Sequence, residues 1–166
     1  AAERLRTLIQ GFTPRDLLFV LLSGGASSLL PAPVPGVTLA DKQRTTRLLL
    51  RGGATIHEVN AVRKHLSLLK GGGLAASTNA TISTLILSDV IGDDLSTIGS
   101  GPTAPDSTTF ADAIGVLRKY GLWPAVPEAV RHYLLEGRRG RAPETLKSGS
   151  RRLLRVQHHI VGNNSG

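Results

Sequence analysis

The chain contains no cysteine and no methionine. Without cysteine there is no disulfide framework and no thiolate metal site. Without methionine even at position 1, Ala1 reads as a processed or internal end of a natural chain. No stretch is long and apolar enough to span a bilayer, and the opening AAERLRTLIQGF lacks the apolar core of a signal peptide. A soluble, cytoplasmic protein without a membrane partner is the expectation. Neither G-x-G-x-x-G nor G-x-x-x-x-G-K-[ST] occurs, so a standard dinucleotide fingerprint and a Walker loop are excluded within these residues. A Ser-His-Asp hydrolase is disfavoured because Ser23 lacks the G-x-S-x-G elbow. The histidines make no metal site: His57 and His65 are far apart on a helix, His158 and His159 face opposite ways on a strand, and His132 stands alone.

What remains is one domain's worth of chain, 166 residues with a formal charge of +8. The excess is local. Between Arg138 and Arg155 seven basic residues stand against Glu144 alone. That segment has no aromatic residue to stack on bases and no helix-turn-helix or zinc pattern, so it reads as a solvated surface loop and not as a nucleic-acid site.

The stretch that organises the rest is Leu17 to Leu30, LLFVLLSGGASSLL. Its uninterrupted apolar run predicts a strand buried on both faces, as in a parallel sheet covered by helices. The run then gives way to Ser23-Gly24-Gly25-Ala26-Ser27-Ser28, where two glycines permit a sharp turn and three hydroxyls supply donors. A loop of this kind at the carboxyl end of a buried parallel strand binds anions in open α/β sheets. Taken alone, it reads equally well as an ordinary strand-to-helix turn.

Elsewhere the pattern alternates. Glu3–Gln10 predicts a helix ended by Gly11 and Pro14, and Thr38 with Asp41 forms a capping box for a helix to about Arg51. Thr55 with Glu58 forms another, opening a helix whose apolar stripe is Ile56, Val59, Val62, Leu66 and Leu69, broken at Lys70-Gly71-Gly72-Gly73. Leu74–Thr78 reads as a short helix, and Thr81–Leu87 as a second strand. Ser107 or Thr108 is expected to cap a helix closed by Gly121, and Pro127 to start one closed near Gly137. Val156–Val161 predicts a third strand. The fold class is therefore α/β with a mainly parallel sheet.

Each strand ends in a polar, glycine-containing loop: SGGASS, SDVIGDD and GNNSG. In a parallel sheet those ends share one edge and can converge on one pocket. Asp89, Asp93 and Asp94 cluster after the second strand and suit a Mg²⁺ ion carried by a nucleotide, although Asp93 or Asp94 could instead cap a turn. Asp89, at the strand end, is the stronger candidate. Lys70 on its glycine turn can reach a phosphoryl oxygen or a carboxylate, or stand solvated at a helix end. Arg63 falls near the apolar stripe, where a partly buried ion pair is open to it.

LLSGGASSLLPAP, GATIHEVNAVRKHLSLLKGGGLA and LILSDVIGDDLSTIGSGPTAPDSTTFADA, continued by ETLK and IVGNNSG, closely resemble the type-2 glycerate kinase family, whose full-length members carry a C-terminal MOFRL domain. The likeness covers nearly the whole chain. One small departure is the KGGG turn, where relatives often have arginine at the position of Gly73. The resemblance implies a three-layer α/β/α, Rossmann-like domain, of which residues 1–166 are the central part. The upstream glycine-lysine segment and the C-terminal domain fall outside it. It implies an ATP- and Mg²⁺-dependent kinase acting on D-glycerate, usually at the 2-hydroxyl, while some relatives bear an older hydroxypyruvate reductase label. On that basis Ser23, Gly24, Gly25, Ala26, Ser27 and Ser28 would hold a carboxylate or phosphate. Lys70 and Arg63 would offset its charge, Asp89 would act as base or, with Asp93, as Mg²⁺ partner, and Ser100, Gly101 and Asn163 would meet the nucleotide. A hydroxypyruvate reductase and a non-catalytic sugar-phosphate sensor are the competing readings. The isolated 166-residue chain is expected to self-associate through an unprotected sheet edge and apolar face, and a homo-oligomer is a separate expectation.

Overall fold

The computed structural model describes residues 2–88, 92 and 94–163, with Asn163 described by its backbone only. In chain order the elements are α1 (Ala2–Gln10), β1 (Leu17–Ser23), α2 (Ala26–Leu29), α3 (Leu39–Arg51), α4 (Ile56–His65), α5 (Gly73–Ala76), β2 (Thr81–Ser88), α6 (Phe110–Lys119), α7 (Glu128–Arg138) and β3 (Val156–Asn163). Single 3-10 segments lie at Ile98–Ser100 and Arg151–Arg155. The fold is α/β, as the alternating pattern predicts. Two compact units divide it: a sheet unit (Ala1–Pro31, Leu69–Asp106, Leu146–Gly166) and a helical unit (Ala32–Leu68, Ser107–Thr145).

In the sheet unit the strand order is β1-β2-β3 and every pairing is parallel. Register runs from Leu17–Thr81 to Ser23–Leu87 on one side of β2, and from Ile82–Val156 to Ser88–Asn163 on the other, with one irregularity after Ile86. All three carboxyl ends therefore lie on one edge. One face of β2 is buried through Ile82, Thr84 and Ile86, and Ile86 packs with Leu22 and Ile98. On that face Thr84 Oγ1 donates to Thr103 Oγ1 at 3.1 Å, and Thr103 Oγ1 lies 3.0 Å from His158 Nε2.

The other face corrects the expectation of a doubly covered strand. Leu17, Phe19 and Leu21 are 53, 60 and 78% exposed, and Leu87 55%. Alternate residues of a strand point to opposite faces, and the described residues cover one of them and leave these side chains of the other open. An apolar run shows that both faces suit burial; it does not say what lies over each.

The basic segment is also more structured than a solvated loop. Arg152 Nη1 donates to the Ala76 carbonyl at 2.7 Å and Arg155 Nη1 to that of Asn79 at 2.6 Å. These arginines satisfy carbonyl groups at and just beyond the end of α5, where cations are electrostatically favoured.

The helical unit follows its caps. Thr38–Asp41 and Thr55–Glu58 are both complete capping boxes, as predicted. The third is Thr109–Asp112, one or two residues beyond the expected Ser107 or Thr108. Its T-F-A-D repeats the T-L-A-D of the first box, so a reciprocal pair outranked the earlier lone hydroxyls. The apolar stripe of α4 is buried at Val59 and Val62 and packs with Leu49, Phe110, Ile114, Leu117, Val130 and Leu134. Ile56, at the exposed start of the helix, is 53% accessible. The helix stops at His65, short of the expected break at Lys70. Leu68 N–H donates to the Ala32 carbonyl at 2.9 Å, and Pro33 bridges Ser67 in antiparallel fashion. Pairing with the proline-containing segment thus replaces the last helical turn.

His65 closes this unit. Its Nδ1 donates to the Ala61 carbonyl at 2.7 Å, its ring meets Phe110 edge-on at 4.7 Å, and its Nε2 lies 2.7 Å from Glu144 Oε1. Glu144 also accepts from the N–H groups of Thr145 and Phe110 at 2.9 and 3.2 Å. Burial opposes ionisation of Glu144, yet the His65 and backbone donors prevail and hold its carboxyl at about 2. A carboxyl lower in the folded than in the unfolded state stabilises fully above its unfolded value, near 4.5, and that contribution is lost as pH falls toward about 2. Glu144→Gln is expected to lower stability by about 1–2 kcal/mol at pH 7, and the gap from the parent should narrow steadily between pH 5 and pH 2.5. Urea denaturation across that range checks it; a gap independent of pH would show that Glu144 acts through packing alone.

Candidate functional site

The site is built at the carboxyl edge of the sheet. β1 ends at exposed Ser23, and Gly25, at φ 78°, turns the chain into the single turn of α2. The geometry requires a residue without a Cβ penalty, and nothing lies within 4 Å of where a Cβ would stand. Ser28 steadies the turn, its N–H and Oγ both donating to the Gly25 carbonyl at 3.1 and 2.9 Å.

Beneath the loop lies Lys70, only 4% exposed. Its Nζ donates to the Ser27 carbonyl at 2.6 Å and to Ser27 Oγ at 2.8 Å. Ser27 Oγ in turn lies 2.8 Å from Ser100 Oγ. The solvated alternative for Lys70 is thereby removed: burying an ammonium is costly unless acceptors replace its hydration, and the serine loop supplies them. In this arrangement the lysine positions the loop from below and adds a positive charge to it.

Ser100 is held in an uncommon conformation. Gly99, Ser100 and Gly101 have φ of 59, 62 and 59°, and Ser100 is the lone non-glycine with positive φ among the described residues. Such strain is retained only where surroundings over-determine it. Gly71 N–H donates to the Ser100 carbonyl at 3.0 Å and Gly72 N–H to that of Gly101 at 2.7 Å, so the glycine turn after Lys70 and the Ser100 turn are stitched together. A small cavity of about 80 Å³ runs between the serine loop and these turns, lined in part by Leu22, Ala26, Lys70 and Gly99.

The structure thus brings together Ser23–Ser28, Lys70, Ser100 and Gly101. Arg63 belongs to the helical unit, half-buried on α4, with Nη1 3.4 Å from Asn60 Oδ1. Burial lowers its guanidinium below the ordinary arginine range. Asp89 and Asp93 lie outside the described residues, as does the side chain of Asn163, whose backbone ends β3 beside Ser88. Asp94 takes the capping role foreseen for one of its pair: Oδ1 accepts from Ser96 N–H at 2.9 Å, and Oδ2 from Thr97 Oγ1 at 2.7 Å.

Sequence reasoning missed the buried Thr84–Thr103–His158 string, because nothing in spacing links a strand threonine to a loop threonine. His158 is half-buried and His159 exposed, in keeping with their opposite faces; burial lowers the His158 ring below the usual range, with the Thr103 contact opposing. A roomier cavity of about 820 Å³ belongs to the helical unit, among Leu68, His132, Tyr133, Glu136 and Pro143. Its Glu136 is already engaged by Arg141, at 2.6 Å from Nη2, so the smaller cavity beside Lys70 better fits chemistry.

These features define an α/β protein with a glycine-serine loop, held by a buried lysine, at the carboxyl edge of a parallel sheet. Residues 1–135 match the family described as a domain of unknown function, DUF4147, and the chain belongs to that family. It is 44% identical over 164 residues to a protein of Pyrococcus horikoshii named glycerate 2-kinase, covering 99% of this chain and 37% of that one. A relative from Agrobacterium vitis, provisionally named a hydroxypyruvate reductase, is 49% identical over 150 residues, covering 90% of this chain and 33% of its own. The crystal structure of a glycerate kinase from Thermotoga maritima superposes with a TM-score of 0.85 at 42% identity, over 98% of this chain and 36% of that one. The chain therefore spans about a third of the length of these proteins.

The stitched turns make a sharp demand on Gly72. It has φ +79°, and an added Cβ would stand 2.4 Å from Leu146 Cβ. Gly140 has a similar φ, +75°, but open space. Gly72→Ala is expected to cost about 2–4 kcal/mol, strain plus overpacking, against about 1 kcal/mol for Gly140→Ala. Thermal unfolding of both variants checks this; equal costs would mean that Leu146 gives way freely.

Proposed function

We propose that the protein to which this chain belongs transfers a phosphoryl group from ATP to D-glycerate, at the 2-hydroxyl. The observation that carries the reading is the buried Lys70–Ser27–Ser100 network under a glycine-serine loop at the sheet edge. The family relationship and the kinase names of the relatives give it direction. Phosphoryl transfer asks little covalent chemistry of a protein. It needs charges and donors fixed around a reacting group, and a rigid loop over a buried ammonium is such a device.

In this reading Ser23, Gly24, Gly25, Ala26, Ser27 and Ser28 receive the carboxylate or a phosphate, Lys70 holds and charges the loop, and Ser100 and Gly101 face the nucleotide. Arg63 offsets substrate charge, and Asn163 donates to the nucleotide. Asp89, with Asp93, would hold Mg²⁺, which would offset phosphate charge; no group of three ligating side chains gathers among the described residues. Residues 1–166 are the central part of a Rossmann-like N-terminal domain, and the enzyme works in the cytoplasm. No helix among the described residues is long and apolar enough to cross a membrane. Hydride transfer, as in a hydroxypyruvate reductase, is the weaker reading, because the chain contains no strand–G-x-G-x-x-G–helix unit.

A coupled ADP-release assay with D-glycerate and MgATP on the whole protein is the direct test, with NAD(P)H oxidation by hydroxypyruvate as the opposing arm. In that assay Lys70→Ala is expected to lower kcat/KM by about 10²-fold or more. Near-parental kinetics would reduce Lys70 to a structural tie.

Gly25→Val probes the loop directly. The space is open, so the fold should persist, but a β-branched residue disfavours positive φ and obstructs close approach to the backbone. Calorimetry with glycerate and with MgATP should show at least one affinity reduced by about tenfold or more. Unchanged affinity for both would make the loop a plain connection.

A further inference from the structure

The helical unit contains a charge that its own fold does not explain. Lys42 on α3 is only 6% exposed, and its Nζ has no hydrogen-bond partner among the described residues. The neighbouring carboxylate cannot serve it, because Asp41 is turned to the helix start, accepting from Thr38 N–H at 3.0 Å and Thr38 Oγ1 at 2.6 Å. Among the described residues, a formal charge of the same sign acts on Lys42: the guanidinium of Arg63 on α4. Burial, reinforced by Arg63, drives the Lys42 amine down to about 7.

An unpaired buried ammonium is costly, and a second cation beside it increases that cost. Helix α3 had simpler options. Its inward positions are otherwise Thr45 and Leu49, and a leucine or methionine at 42 would fill the same space without a charge. Two neighbouring cations become favourable together when an oxyanion joins them through charge-assisted hydrogen bonds. Arg63 offers a planar fork at a half-buried position, and Lys42 a flexible four-carbon stem that can swing its ammonium to a ligand held there.

We propose that Lys42 and Arg63 form an anion-binding pair on the helical unit, taking a carboxylate or phosphate oxyanion of a small-molecule ligand, with Lys42 the residue kept for that ligand rather than for the fold. Glycerate supplies a carboxylate and the nucleotide a phosphate, so the identity of the oxyanion rests on the kinase reading. The existence of the pair does not.

The test uses Lys42→Met in the whole protein, which preserves volume and removes the charge. Thermal unfolding without ligand should show the variant at least as stable as the parent. Calorimetric titration with inorganic phosphate and, separately, with D-glycerate should show at least one of them bound tenfold or more weakly. Loss confined to glycerate assigns the pair to a carboxylate, and loss confined to phosphate assigns it to a phosphoryl oxygen. Both are binding readings without turnover, so they stand whether or not the protein proves to be a kinase. Unchanged affinity for both anions would overturn the proposal. So would a variant that fails to fold, which would make the ammonium a partner in the core.

Discussion

Everything at the candidate site depends on a buried ammonium that has been given acceptors. Lys70 reaches up into the serine loop and binds Ser27 twice, through its carbonyl and its hydroxyl. Those acceptors offset the cost of burying the charge, and without the charge the loop would keep its own Gly25–Ser28 turn and the Ser27–Ser100 contact. The two requirements fix each other. The glycine turn that delivers Lys70 is tied to the Ser100 turn through two backbone hydrogen bonds, and Ser100 returns to Ser27. The result is a closed circuit of loop, lysine and strained turn, each holding the others.

The circuit has its place because the sheet is parallel throughout. Had β2 run the other way, the segment leading to Ser100 would leave the opposite edge from the serine loop. Parallel register from Leu17–Thr81 to Ser23–Leu87 carries both strands to the same edge. A rigid polar loop in that position is where open α/β sheets meet anions. The glycines do different jobs there. Gly25 permits a conformation with space around it, whereas Gly72 and Gly99 admit close neighbours, Leu146 and Leu22.

The helical unit handles charge by two opposite devices. Glu144 is surrounded by donors from His65, Phe110 and Thr145, and stays ionised despite partial burial. Lys42 is buried without such company, and Arg63 adds to its burden. The first pattern serves the fold, since each partner is satisfied internally. The second is intelligible as a binding pattern, since no described residue accepts from the Lys42 ammonium.

Much of this was legible in the sequence, where the governing physics is local. An apolar run marked β1, β-branched stretches marked β2 and β3, and Thr-x-x-Asp and Thr-x-x-Glu boxes marked helix starts. Each signal spans a few residues and needs no distant partner. Errors arose where a distant partner decided the matter. Helix α4 stops early because Ala32 and Pro33 pair with residues 67 and 68. Arg152 and Arg155, expected only as part of a solvated loop, donate to the carbonyls of Ala76 and Asn79. The apolar run of β1 marked a strand correctly, but only the packed structure shows Phe19 and Leu21 uncovered while Leu22 is buried. The same holds for the two lysines. Sequence shows each as one cation among twenty basic residues. Their burial, and whether acceptors await them, depends on contacts between segments that sequence spacing does not encode.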